Sequence, residues 1–216
     1  ARSMTTLMQV AAMSMMNENT LWDFYDTAQF EAFDLEFKSV TGMSLSNMTQ
    51  MKPVAVAMFY SLSIAQQELA KSGLNFSGQP IDVFFASDAG KTGKELVTLE
   101  TMMEQMEMIY NSETPEEQAE MLLAMIEDAD VEDVSIELLK YYEEEDIEAM
   151  ARLSEEIGND YGDMAVLLDN RNNKWLETLK PVLEEGKAFI AVGALHLPGK
   201  EGLIELLTDA GYTLKP

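Results

Sequence analysis

Cysteine is absent, and histidine occurs once, at position 196 of 216 residues. Without thiols there are no disulfides, no thiolate metal ligands and no cysteine nucleophile, and the redox compartment stays open. Positive charge is scarce as well. Fourteen Lys and Arg stand against 39 Asp and Glu, a formal net charge of −25. A polyanion of this strength repels phosphate backbones, so nucleic acid is excluded as a partner. Long apolar runs are missing too. The most apolar windows, Val54–Leu62 and Ala188–Leu197, fall well short of the roughly 18–20 residues a membrane-spanning helix needs. No secretory signal pattern opens the chain. It begins at Ala1 rather than at a Met, as a processed or trimmed chain would.

What remains is a chain with 47% apolar residues, enough for a sizeable core and suited to one domain. The acidic surplus concentrates between Glu113 and Asp163, where nineteen acidic residues face only Lys140 and Arg152. Such a segment reads as solvated helix faces, or as a docking surface for a cationic peptide. The seventeen methionines read the same two ways, as filling for an irregular core or as a binding groove.

Helical signals dominate the first two thirds. Trp22 to Phe37 reads as a helix ended near Gly42. Pro53 opens another through Val54–Ala70, at the position where its missing N–H costs nothing. A short helix is expected over Ile81–Ala89. Thr114, Pro115 and Glu117 combine a capping box with a first-turn proline. Asp130 is placed to cap a further helix, and others are expected across Asp146–Ile157 and Tyr161–Glu184. Three segments read as strands: Glu95 to Leu99, the apolar run Ala188 to Val192 continuing to Gly193, and Tyr212 to Leu214. The apolar run has the character of a strand buried on both faces. The expected fold class is therefore α/β: helix-rich, with a small central β-sheet (strands near 95–99, 188–193 and 212–214) flanked by helices.

The candidate chemistry follows from those strands. His196 stands just beyond the end of the apolar run, where α/β sheets gather ligands. Imidazole there can ligate a metal or exchange protons, or it can be a packed loop histidine. Gly193, three residues earlier, lets the backbone turn sharply or another group approach. Glu100 ends the first strand. It can bind metal, act as a base, orient a histidine, or only favour the start of the next helix. Arg171, in Asp169-Asn170-Arg171-Asn172-Asn173, offers a planar fork for a carboxylate or oxyanion, or a salt bridge to the acidic excess. Gly193, His196, Glu100 and Arg171 are expected to converge on one cleft. Gly90-Lys91-Thr92-Gly93-Lys94 imitates a phosphate loop without its spacing.

These pieces occur in an order that resembles the TraB/GumN family. The residues that carry the resemblance are Met51-Lys52-Pro53, Ile81-Asp82 through Ala89, Leu99-Glu100-Thr101 with Glu104-Gln105, and Asp169-Asn170-Arg171-Asn172 with Trp175. The closing Val192-Gly193-Ala194-Leu195-His196-Leu197-Pro198-Gly199, with Leu206-Leu207 and Gly211-Tyr212, completes the set. It runs from about Lys52 to the C-terminus.

The resemblance implies a fold similar to that of erythromycin-esterase-like and ChaN-like proteins, and two Gly-x-x-His motifs with a glutamate after the first. Its TIKI-like animal members are membrane-associated metalloproteases. It implies a metal-dependent, peptidase-like hydrolase acting on a peptide or envelope substrate. A non-catalytic envelope protein that sequesters a peptide or small ligand is the alternative. Glu100 and Arg171 then stand as catalytic residues, Gly193 and Asn172 as substrate-binding residues, and His196 as the metal ligand. The cofactor would be a divalent ion, zinc or manganese, and the location extracytoplasmic or cell envelope. With one histidine the first motif is missing. The expectation is thus one domain over 1–216, N-terminally incomplete, with a helical insertion at roughly 102–185, bound weakly to metal and inactive alone. Unpaired strand edges would make it a homo-oligomer.

Overall fold

Local signals explain where the helices begin and end. The computed structural model describes residues 4–71, 81–127, 131–157 and 165–215. Helices α1 (Met4–Met13), α2 (Thr27–Thr41), α3 (Pro53–Lys71) and α4 (Ile81–Thr92) make up the first part. Helices α5 (Met102–Asn111), α6 (Pro115–Glu127), α7 (Val131–Glu143) and α8 (Ile147–Ile157) follow, and then α9 (Asn170–Glu185) and α10 (Leu203–Asp209). Asp26 caps α2 by accepting from the Gln29 N–H at 2.8 Å, while the Gln29 side chain accepts from the Asp26 N–H at 3.0 Å. Gly42, at φ 74°, stops it. The Thr114–Glu117 box is formed, with the Thr114 N–H donating to Glu117 Oε2 at 2.8 Å. Asp130, the other expected cap, lies outside the described residues.

The main core lies where α3 packs on α2 and α6. Phe30, Phe33 and Phe37 from α2 meet Val56, Tyr60 and Ile64 from α3 and Leu122, Met125 and Ile126 from α6. Their spacing in each helix keeps them on one face. The Tyr25 hydroxyl donates to the Ala119 carbonyl at 2.7 Å, which ties the approach to α2 to α6. Lys52 also turns out to be a brace. Its Nζ donates to the Tyr110 carbonyl at 3.0 Å and to Asn111 Oδ1, holding the end of α5 beside the start of α3. Burial lowers its pKa, against the pull of Glu107. The methionines divide: Met16, Met48 and Met51 pack on the core, whereas Met4, Met8 and Met58 are exposed. Helix α1 buries no residue.

The expected α/β class and its central sheet are not found. The described residues are helical apart from turns and irregular segments, and the one β-type pairing among them is an isolated antiparallel bridge between Met15 and Met51. Residues 94–98, 186–193 and 212–215 adopt no regular secondary structure, and no ladder joins them. The run Ala188 to Val192 is not buried on both faces either. Phe189 is 70% exposed, while Ile190 and Val192 pack beside Trp175, Leu179 and Leu203. The physical reason is that a strand is defined by its partner. Apolar β-branched residues favour an extended backbone, but only a neighbour at hydrogen-bonding distance makes a sheet.

Candidate functional site

A separate, smaller core holds the candidate residues. Trp175 and Leu179 of α9 and Leu203 of α10 are buried together, with Leu99, Leu183, Ile190 and Val192 packed against them. Helix α9 follows a π-helical turn at Ala165–Asp169 and presents Arg171, Asn172 and Trp175 toward this cluster. The 3₁₀ turn Ala194–His196 brings the histidine to the same place.

Glu100 and Arg171 form a bidentate, largely buried pair. Arg171 Nε donates to Oε2 at 3.1 Å and one terminal nitrogen to Oε1 at 2.6 Å, with the side chains 12–13% exposed. The other terminal nitrogen donates to the Leu167 carbonyl at 2.9 Å. Trp175 Nε1 also donates to Glu100 Oε2, at 3.3 Å. The guanidinium lies 4.8 Å from the Trp175 ring centre, a cation–π contact. Next to this pair, Lys174 reaches Glu104 at 2.6 Å. Together with Thr101 it holds the exposed Glu104 carboxyl at about 2, below the usual range. Two acids at the start of α5 therefore meet two bases on the first turns of α9.

His196 also packs against Trp175. Its ring centre is 4.4 Å from that of the indole, and the residue is 6% exposed. Asn172 Oδ1 is 2.7 Å from His196 Nδ1. The Asn172 amide nitrogen donates to the His196 carbonyl at 3.3 Å and the Glu201 carbonyl at 2.7 Å. Since an amide oxygen only accepts, the proton belongs on Nδ1, leaving the lone pair on Nε2. Nε2 has no partner among the described residues, and no fully buried side-chain nitrogen or oxygen lacks one, so Nε2 reaches solvent. Burial first, and the Arg171 charge second, lower the His196 pKa to about 4 against the pull of Glu100. The imidazole is neutral at physiological pH.

Gly193 contributes its carbonyl, which accepts from the His196 N–H at 3.0 Å and closes the turn. Its φ of −63° suits any residue, and a Cβ there would meet only His196 Cδ2, at 3.5 Å. Gly202 is different. A Cβ there would fall 2.1 Å from the Pro198 carbonyl oxygen, so only glycine fits beneath that turn.

A cleft of about 320 Å³ opens beside the histidine loop. Helix α8 supplies Ser154 and Glu155, the π-helical turn Leu168 and Asp169, α9 Asn172, and the loop Leu195 and Pro198 to Glu201. Glu100, Arg171, Gly193 and His196 do not line it. The first two engage each other, and His196 stands behind Asn172. Glu100, Arg171 and His196 are thus gathered around Trp175, while the cleft belongs to their neighbours. Reading the sequence for chemistry overlooks Trp175 and Gly202. The spacing of Trp175 from Arg171, one helical turn, is the signal that places both on one face.

Comparison with curated proteins and with solved structures returned no match. The sequence does match the family model of the TraB/PrgY/gumN family, over residues 1–216. The match extends beyond the segment from Lys52 onward that carries the motifs, and by it the chain belongs to the TraB/PrgY/gumN family.

Proposed function

We propose that this chain carries a hydrolase-type site centred on His196, acting on a peptide or envelope substrate. One observation carries the reading: Asn172 holds Nδ1 of a buried, neutral imidazole and leaves the Nε2 lone pair unpartnered among the described residues. An orienting partner on one ring nitrogen is what makes the other a defined ligand or acceptor. With a pKa near 4, His196 does not store a proton at neutral pH. It offers a lone pair to a water, an ion or a polarised group. Trp175 packs against the ring, and the paired charges of Glu100 and Arg171 act on it in opposite directions.

Zinc or manganese is the cofactor the family resemblance suggests, and the donor set can be tested against it. A catalytic zinc site takes three protein ligands and an open position. Among the described residues no three His, Asp or Glu side chains stand together. Both Glu100 oxygens are engaged by Arg171 and Trp175. These residues supply one imidazole nitrogen and do not fit a complete set, so no step is derived through a metal. The locked Glu100–Arg171 pair favours the alternative reading, a peptide-binding protein without catalysis.

Two measurements separate the readings. Zinc or manganese titrated against the single imidazole NMR signal should perturb His196 weakly and saturably. An untouched signal sinks the ligand role, and tight stoichiometric binding abolished by His196→Ala means the ligand set is complete. A peptide-library cleavage screen run beside His196→Ala decides catalysis. Cleavage that persists in that variant removes His196 from the chemistry.

A further inference from the structure

The cleft beside the histidine loop has an amphipathic lining with a charge of its own. Ala151, Leu168, Leu195 and Pro198 give it an apolar part, and Asn172, 1% exposed, adds an amide. Glu155, Asp169 and Glu201 stand against Lys200, three negative charges to one positive, a local net of −2. Among the described residues no three His, Asp or Glu side chains are grouped to hold a metal ion. The carboxylates therefore ring the space as separate charges. One wall of the cleft is preformed. The Gly202 N–H donates to the Gly199 carbonyl at 3.0 Å and the Ile204 N–H to the Leu197 carbonyl at 3.2 Å, which closes the loop on itself. Asn172 ties this wall to the histidine. Its Nδ2 donates to the Glu201 carbonyl at 2.7 Å, and its Oδ1 lies 2.7 Å from His196 Nδ1.

We propose that this cleft binds a primary ammonium on a short branched apolar stem, and that its occupancy is passed to His196 through Asn172. A volume of about 320 Å³ is at the small end of pockets that take organic ligands, and it suits one of this size. The apolar lining takes the stem out of water. The ammonium head keeps to the acidic rim, where Glu155 and Glu201 are exposed and the charge stays solvated. An anion of the same shape meets the local net of −2 and is disfavoured. Because the loop wall is already closed, little ordering is needed on binding. His196 does not line the cleft. An occupant presses instead on Asn172 and on the wall that Asn172 holds, and the imidazole senses it at one remove. The same head group occurs at a peptide's amino terminus and in free amines. The proposal goes beyond the hydrolase reading, since binding here requires no catalysis at His196.

The test follows the imidazole NMR signal of the single histidine during titration with 3-methylbutylamine at pH 7. The ring is neutral there, so a shift reports the cleft and not protonation. The controls are 3-methylbutanoate, a carboxylate on the same kind of stem, and methylammonium, the head without the stem. The amine should shift the signal saturably, with a Kd on the order of a millimolar for so few atoms. Either control should bind at least about tenfold more weakly, the loss expected when charge attraction or apolar burial is removed. Glu155→Lys reverses a rim charge and should weaken the amine about tenfold. Ala151→Leu fills the apolar part and should abolish binding, and the exposed Glu155→Lys keeps the test decisive if Ala151→Leu does not fold. Equal binding of 3-methylbutanoate, or binding unchanged in the folded variants, overturns the proposal. Shifts at the amides lining the cleft with an unmoved imidazole overturn the link through Asn172. Leucine amide separates the sources: tighter binding than 3-methylbutylamine supports a seat for a peptide's amino terminus, weaker binding a seat for a free amine. Amine binding without peptide cleavage sinks the hydrolase reading alone, whereas cleavage without amine binding sinks this proposal alone.

Discussion

Asn172 and His196 grip each other at two points: the amide oxygen of Asn172 lies 2.7 Å from the imidazole Nδ1, and its nitrogen donates to the His196 carbonyl at 3.3 Å. One buried side chain thus sets both the tautomer of the ring and the position of the loop that carries it.

Replacing that amide by a carboxylate tests the grip. In Asn172→Asp a negative oxygen faces Nδ1, and opposite charge favours imidazolium, so the His196 pKa should climb from about 4 toward or beyond the ordinary histidine value. With one histidine in the chain, an NMR titration reads it without assignment ambiguity. A pKa that stays near 4 means Asn172 is not the partner of Nδ1.

Acid stability follows from the same residue. Its folded pKa, about 4, lies below the ordinary 6.5, so between those values the unfolded chain binds a proton that the folded chain does not. Stability therefore falls as pH drops through 6.5 toward 4 and is unaffected by this group above that window. The shift corresponds to roughly 3 kcal/mol at most. Urea midpoints at pH 7 and pH 5 in wild type and His196→Gln measure it, and the acid loss should shrink in the variant.

Breaking the Glu100–Arg171 pair should cost far more than breaking its neighbour. Glu100→Ala strands a largely buried guanidinium, an effect of about 3–5 kcal/mol. Lys174→Ala dissolves a pair whose side chains are about half exposed, where solvent screens the interaction, and should barely move the urea midpoint. Equal losses in the two variants would contradict the burial difference.

Two glycines in the same loop should respond in opposite ways. Gly202→Ala drives a Cβ into the Pro198 and Leu197 carbonyls at 2.1 and 2.4 Å, and the turn must move, at a cost of roughly 1–3 kcal/mol or more. Gly193→Ala meets only ordinary contact and should lie close to neutral in thermal melts. A destabilised Gly193→Ala with normal Gly202→Ala would refute the loop geometry.

The helices are legible wherever their ends carry a local signature. Thr114-Pro115 with Glu117, and Pro53 before an apolar-periodic run, announce their helices within a few residues, and Gly42 marks the end of another. The start of α2 is harder to see. The aromatic run suggests Trp22, whereas the helix begins at Thr27, behind a capping box of Asp26 and Gln29 that the run obscures. The candidate site is legible as a set of residue types and not as a set of contacts. Glu100 keeps open a catalytic and a helix-start reading and Arg171 an oxyanion-holding and a salt-bridge reading, and the pairing of one with the other needs the start of α5 to lie near α9.

Composition and short-range order are enough to establish the charge, the absence of thiol chemistry, the single imidazole, most helix limits and the family, because each depends on residue counts or on residues close along the chain. Long-range packing was needed to establish that 95–99, 188–193 and 212–214 join no ladder. It was needed again to establish that Asn172 rather than a carboxylate holds His196, and that Glu100 spends its charge on Arg171. Those outcomes depend on which distant segments come within hydrogen-bonding reach, and a β-prone stretch carries the same local preference whether or not a partner arrives beside it.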